Sequence, residues 1–347
     1  MRQWTERILS GGELGPQDIR EIVDALMSGS RCDAEAADFL EALHRRGETP
    51  SEVAAFASCI LEHAEMFNVP EHIGPLIDVC GTGGDKLGIF NVSTAVMFVA
   101  AGAGAKVVKH GNRKITSRSG GADVLEVLGI PADLAPERLC EMLFESGATF
   151  LFAQRFHPAF KNLATARSLL AARGSASVFN MLGPLLNPAR PQCQLTGVFS
   201  PRLLDIYAEA LPKLGRSRFW VVHGSAEGAG CMDEISTCGP TEVAECFGQQ
   251  AGRRLVLEPG AMGVATGRID ELRGGDAATN AGILAGLLRG ELRGAPRDLV
   301  LVNSAAALLV AGLADAWEDA MERATESLDS RSAWRVLTTM RRLAGAA

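Results

Sequence analysis

Aromatic side chains supply only 5% of the 347 residues, and there is no basic excess: 34 Lys and Arg face 41 Asp and Glu, for a formal net charge of −7. Surfaces that bind nucleic acid combine extended cationic patches with stacking rings, so both shortages argue against that class. Long apolar runs are missing too. The longest, 92–108 and 298–314, are broken by Gly, Asn, Ser or Lys and fall short of the roughly 20 residues a membrane helix needs. The eight cysteines contain no Cys-x-x-Cys pair and no zinc-like spacing, and most lie in apolar contexts such as Cys59 and Cys80. Buried thiols in a reducing compartment account for them. The opening Met-Arg-Gln-Trp-Thr-Glu-Arg carries charge where a signal peptide needs an apolar core. These absences predict a cytoplasmic protein with neither nucleic acid nor membrane as partner.

What is present suits a globular α/β chain too long for one core. Residues 1–70 read as helices. Ile19, Ile22, Val23, Leu26 and Met27 keep helical spacing, as do Val53, Phe56, Ala57, Ile60, Leu61 and Ala64. Thr49-Pro50-Ser51-Glu52 has the order of a capping box with proline at the first helical position. From about residue 71 the pattern changes to short strands, at 76–80, 106–109, 148–153, 194–199, 218–223 and 242–246. They alternate with helices at 122–128, 135–145, 202–214, 277–289 and 315–343. The stretch holding Gly183, Pro184, Asn187, Pro188 and Pro191 is turn-rich and suits a hinge.

The most informative segment is 79–94, where an apolar strand runs into Gly81, Gly83 and Gly84 before a hydroxyl-rich helix start. A turn without Cβ atoms lets backbone N–H groups approach an anion, and the helix start adds donors and a favourable dipole. The spacing is neither the dinucleotide fingerprint nor the P-loop. A second cluster follows the strand at 106–108: Lys109-His110-Gly111-Asn112-Arg113, then Thr116, Ser117, Ser119, Gly120 and Gly121. Two strand-to-helix junctions of a parallel unit share one crevice at the carboxyl edge, so positive charge is brought beside the glycine turn. A protein of net negative charge can bind a polyphosphate only by such local concentration, here Lys109, His110, Arg113, Lys114 and Arg118.

These segments resemble the anthranilate phosphoribosyltransferase family. The resemblance rests on Gly-Thr-Gly-Gly-Asp (81–85), Asn-Val-Ser-Thr (91–94), Lys-His-Gly-Asn-Arg (109–113) and Ala122-Asp123-Val124-Leu125-Glu126. Further on come Phe-Leu-Phe-Ala-Gln (150–154), His157-Pro158-Ala159, Phe179-Asn180, Leu-Gly-Pro-Leu (182–185), Asn187-Pro188 and Asp233-Glu234. It implies a small helical domain of residues 1–70 with a returning segment near 162–188. It also implies a large α/β domain, 71–161 and 189–347, with a mainly parallel central sheet, and a homodimer formed through the helical domain. The implied reaction joins anthranilate to 5-phosphoribosyl 1-pyrophosphate (PRPP). The implied donor site comprises Gly81, Gly84, Asp85, Ile89, Asn91, Val92, Ser93, Thr94, Lys109 as a mobile point charge, His110, Gly111, Asn112, Arg113, Ser117 and Gly121. Gly81, Asn112 and Arg167 would hold anthranilate, and Ser93, Asp233 and Glu234 would hold Mg2+. Asp85 is assigned to backbone or sugar hydrogen bonds, and the role of His157 stays open. An aromatic amine is neutral with its lone pair available, so no catalytic acid or base is required; positioning and electrostatics suffice.

The chain departs from the family pattern in places. Ile89 stands where Thr or Ser is usual and Gly121 where Ser is frequent, and extra residues with a Ser175-Ala176-Ser177 approach precede Phe179. Another aromatic amine or acid therefore stays open as acceptor. Two other readings compete: a pyrimidine nucleoside phosphorylase-like enzyme, and a non-catalytic relative that binds nucleic acid.

Overall fold

Four helices open the chain in the computed structural model, which describes residues 1–114, 119–248 and 252–345. They are α1 (Arg2–Leu9), α2 (Pro16–Ser28), α3 (Asp33–Arg46) and α4 (Pro50–Glu62). The spaced apolar residues of α2 and α4 are buried in one core, as their periodicity predicts. The capping box forms: Thr49 Oγ1 accepts from the Glu52 N–H at 3.3 Å, and Glu52 accepts from the Thr49 N–H at 2.9 Å. Tertiary structure adds to it. The buried Glu52 carboxylate also accepts from the Leu14 N–H at 2.9 Å and pairs with Arg46. Glu52→Ala is therefore expected to cost about 3 kcal/mol, more than a lost cap, because a guanidinium and two N–H groups lose their partner. Urea unfolding measures it, and a loss equal to that of Thr49→Ala would reduce Glu52 to a cap.

The sheet has the order β3-β2-β1-β4-β5-β7-β8, with β6 paired to β5. Its strands are β1 (Leu76–Gly81), β2 (Lys106–Gly111), β3 (Ala148–Phe152), β4 (Cys193–Gly197), β5 (Arg218–Ala226), β6 (Gly230–Met232), β7 (Thr241–Phe247) and β8 (Arg253–Leu257). The first five in spatial order are parallel, and β6, β7 and β8 are antiparallel additions. From β1 the chain proceeds outward to β2 and β3, then returns to β4 on the other side of β1. That reversal opens a crevice at the carboxyl ends of β1 and β4.

Helices α5 (Val92–Gly102), α6 (Gly121–Val127) and α7 (Pro136–Ser146) follow β1 and β2. Then α8 (Ala153–Phe156), α9 (Ala164–Ala172) and α10 (Phe179–Leu182) lie between β3 and β4. Leu163, Ala166, Leu170, Val178, Met181, Leu182, Leu185 and Leu186 are buried with the first four helices. The same core continues through α11 (Arg202–Lys213) onto Phe219 and Val221 of β5. A second core holds the opposite side of the sheet against α5, α7, α12 (Ala277–Leu288), α13 (Ala295–Val310), α14 (Trp317–Asp329) and α15 (Ser332–Leu343).

The expected single helix at 315–343 is two, broken at Arg331, whose φ is 61°. Strands β6 and β8 and helix α13 were not anticipated. Almost all of α13 is buried, so it has no polar face to give it a period. Among the described residues no helix is long and apolar enough to cross a membrane.

Candidate active site

Three glycines at the carboxyl edge make room for the acidic pair. Gly81 at the end of β1 is in register with Gly197 at the end of β4, and Gly224 lies on β5 beyond them. A Cβ on Gly197 would stand 1.6 Å from the Asp233 carbonyl oxygen, one on Gly81 2.3 Å from Asp233 Oδ2, and one on Gly224 2.5 Å from the Glu234 carbonyl oxygen. In the structure β5 runs on to Ala226, turns into β6, and β6 brings the pair back over the sheet edge. Gly197 and Gly224 were missed; a glycine ending a strand was their only trace.

Asp233 Oδ2 accepts from the Gly83 N–H at 2.7 Å, across 150 residues. Burial and the neighbouring Asp85 carboxyl push Asp233 up to about 7. Glu234 is raised well above the carboxylate range by burial and by Asp233, with Lys109 opposing. Asp85 accepts from the Leu87 N–H at 3.3 Å, and burial raises its own carboxyl above the usual range. Crowded carboxyls of this kind favour a cation, and an all-oxygen set that includes Ser93 suits a hard divalent ion. Among the described residues no three His, Cys, Asp or Glu side chains form a metal cage. Such a set fits magnesium, which keeps waters and substrate oxygens as ligands.

The glycine turn takes the shape an anion site needs. Gly83 and Gly84 have φ of 69° and 93°, values side chains resist, so their peptide groups stand clear of Cβ atoms. Ile89 bridges to Arg273 and packs on the core, which anchors the loop after the turn. Val92, Ser93 and Thr94 begin α5, and a Cβ on Gly121 would lie 3.2 Å from Thr94 Oγ1. Asn91 Oδ1 accepts from Ser119 Oγ at 3.0 Å and from Asn280 Nδ2 at 2.8 Å. Asn280, buried on α12, also escaped the sequence reading, since a lone Asn within a helix gives no signal.

Two expected cations behave differently from expectation. Lys109 is 4% exposed and pinned rather than mobile, donating to the Val79 carbonyl at 2.5 Å and to Ser93 Oγ at 3.0 Å. His110 is buried, and that burial holds its imidazole well below the usual histidine range, so it contributes no positive charge. Arg113 is bound to Glu126 at 2.6 Å and lies near Asp123 and the Phe152 ring. Ser117, with Thr116 and Arg118, falls outside the described residues.

A cavity of about 910 Å3 opens against the glycine turn, lined by Gly81, Thr82, Gly83 and Gly84 together with His110, Gly111, Asn112, His157, Phe160, Arg167 and Phe179 among others. The rings of His110, His157, Phe160 and Phe179 meet edge to face in succession, with centroids 5.3, 5.7 and 5.7 Å apart. His157 Nε2 lies 2.8 Å from the Leu186 carbonyl. Arg167 is exposed on α9 and has no ion-pair partner among the described residues. The unusual approach to Phe179 turns mostly away from the cavity. Ser175 Oγ donates to Glu41 at 2.7 Å and the Ser177 N–H to Asn180 at 2.8 Å, while only Ala176 of the three lines the cavity.

Residues 73–334 match the glycosyl transferase family, a/b domain, and residues 2–64 the glycosyl transferase family, helical bundle domain. The chain is 43% identical over 334 residues to the anthranilate phosphoribosyltransferase of Methanosphaerula palustris, covering 96% of each. Its structure is similar to that of the Thermus thermophilus anthranilate phosphoribosyltransferase, with a TM-score of 0.90 and 38% identity over 99% of both chains. The Saccharomyces cerevisiae enzyme solved in complex with PRPP and Mg gives a TM-score of 0.88 at 26% identity, over 99% of this chain and 98% of that one. The yeast protein has also been solved with 4-fluoroanthranilate.

Proposed function

Because this chain belongs to the anthranilate phosphoribosyltransferase family, we propose that the crevice over β1 and β4 carries that family's reaction, with one substrate on each side of Gly81. The enzyme transfers the phosphoribosyl group of PRPP to anthranilate, giving N-(5-phosphoribosyl)anthranilate and pyrophosphate in tryptophan biosynthesis. The observation that carries the site assignment is the glycine trough, which sets an acidic pair against a phosphate-type turn. The alternative phosphorylase and nucleic-acid readings have no comparable support.

On the donor side, the N–H groups of Gly84 and Asp85 in the glycine turn and the start of α5 from Asn91 to Thr94 would receive pyrophosphate and ribose, the Gly83 N–H being held by Asp233. Lys109 would supply a fixed charge. Ser93, Asp233 and Glu234 would hold Mg2+, in keeping with the ion in the yeast complex. When bound, the ion offsets the charge that grows on the pyrophosphate oxygens as their bond to ribose C1 breaks. The protein's own part is to hold the donor rigidly in line with the acceptor.

On the acceptor side, Phe160 and Phe179 would flank the aromatic ring and Arg167 would take the carboxylate through two parallel bonds. His110 Nε2, buried without a hydrogen-bond partner among the described residues, would offer a lone pair to an incoming N–H. Gly111 and Gly121 leave room for their neighbours: a Cβ on Gly111 would stand 2.8 Å from the Phe150 ring and one on Gly121 3.2 Å from Thr94 Oγ1. Arg167→Ala is expected to raise the anthranilate KM by about 10- to 100-fold, the loss of one charge-assisted bond, while kcat changes little. An unchanged KM would remove Arg167 from the site.

The function itself is tested by following anthranilate fluorescence with PRPP, with and without Mg2+. Turnover of thymidine with phosphate, and none of anthranilate, would overturn it. We further propose a cytoplasmic homodimer joined through the helical layer, where Leu9 stands 74% exposed on α1. The division into 1–70 with 162–188 and 71–161 with 189–347 would let the acceptor wall move against the donor site.

A further inference from the structure

Strands β1 and β2 are neighbours, yet only two pairs, Leu76 with Lys106 and Ile77 with Val107, are in register. The flanking ladders, β1 with β4 and β2 with β3, each hold five. The backbone ladder between the central strands therefore stops short of their carboxyl ends, and the peptide groups a continued ladder would have joined need other partners. Side chains supply them. The Val79 carbonyl accepts from Lys109 Nζ at 2.5 Å, the His110 N–H donates to Asp78 Oδ1 at 3.2 Å, and the Val108 carbonyl accepts from Asn187 Nδ2 at 2.7 Å. Asn187 Nδ2 also donates to Asp78 Oδ2 at 2.8 Å.

Asp78 and Asn187 are both 0% exposed. Burial pushes the Asp78 carboxyl above the usual carboxylate range, and the Lys109 charge, the Asn187 amide and the His110 N–H oppose that rise. Asn187 arrives from the far side of the crevice. It follows Gly183, Pro184 and Leu186, which line the acceptor cavity, and the Leu186 carbonyl meets His157.

We propose that Asp78 and Asn187 are positioning residues: their hydrogen bonds replace the interrupted ladder between β1 and β2 so that the Lys109 ammonium is held at the Val79 carbonyl beside Ser93, and they tie its placement to the acceptor wall. This rests on the assignment of PRPP to the glycine turn and Lys109. Neither residue touches substrate. Both act through the lysine.

The test is a double-mutant cycle on PRPP binding in the presence of Mg2+, with thermal unfolding of every variant. Asp78→Asn keeps the side-chain shape and is expected to weaken PRPP binding on the order of tenfold in the otherwise unaltered protein, but less than about twofold when Lys109 is already Met. Asn187→Ser is carried through the same cycle, so that a failure of either variant to fold leaves the other to decide. Asn187→Ser should also raise the anthranilate KM, whereas Asp78→Asn should leave it within about twofold. Equal losses with and without Lys109, the mark of a merely structural role, would overturn the proposal, as would unchanged PRPP binding in Asp78→Asn. A wild-type protein that turns over anthranilate but gives an additive cycle defeats only this inference. One that binds no PRPP defeats the donor assignment and this proposal with it.

Discussion

Gly197→Ala is expected to lower kcat/KM by on the order of a hundredfold or more while the helical layer stays folded. The added Cβ would lie 1.6 Å from the Asp233 carbonyl oxygen, 2.1 Å from its carbon and 2.9 Å from the Glu234 nitrogen. All three atoms are backbone, so no rotamer change relieves the overlap. The loop must lift by more than an ångström to reach ordinary contact distance, a shift estimated from normal non-bonded separations. Lifting it draws Asp233 Oδ2 away from the Gly83 N–H and takes both carboxylates from the glycine turn. A control separates this from a general intolerance of substitution. Gly282, inside α12, has nothing within 4 Å of a would-be Cβ. Gly282→Ala should keep full activity and gain about 0.5–1 kcal/mol from helix propensity. Steady-state kinetics with circular dichroism decide the matter, and a fully active Gly197→Ala protein would show that the trough does not hold the pair.

Asp233→Asn combined with Glu234→Gln should reduce kcat by at least about a hundredfold and raise the Mg2+ concentration needed for half-maximal rate, as expected when ligand charge is removed at near-constant shape. The same variant predicts a change in stability. Asp233 is raised from 3.8 to about 7 by burial and by Asp85. A carboxyl raised on folding binds more protons in the native than in the unfolded protein between those values, so it favours the fold most at low pH. That contribution is lost as pH rises through about 7. Protein without metal should therefore show a falling Tm across this window, and Mg2+ should restore it at the alkaline end, where Asp233 is ionised and free of a competing proton. Amides do not titrate, so the double variant should flatten both effects. A wild-type Tm insensitive to Mg2+ at pH 8 would contradict the assignment of the pair as ligands.

Much of this site was legible without coordinates wherever the cause is local. The left-handed turn at Gly83 and Gly84, the helix start at Asn91 and the capping box at Thr49 follow from the residues that form them. The motif order from Gly81 to Glu234 carried the family and its reaction. Boundaries failed where the pattern is weak. The break at Arg331 interrupts apolar spacing without a proline or glycine, and α13 is apolar on nearly every side.

Chain order and local chemistry, readable in one dimension, placed a glycine-rich turn beside a basic segment in an α/β protein. Three dimensions decided what those residues are free to do. Burial left His110 neutral, pairing with Glu126 engaged Arg113, and hydrogen bonds to the Val79 carbonyl and Ser93 hold Lys109. The contacts of Gly197 with Asp233 and of Asp78 with Asn187 join segments 36 and 109 residues apart. Protonation, charge pairing and backbone clearance depend on which groups meet after collapse, and the spacing of residues along a chain does not record that meeting.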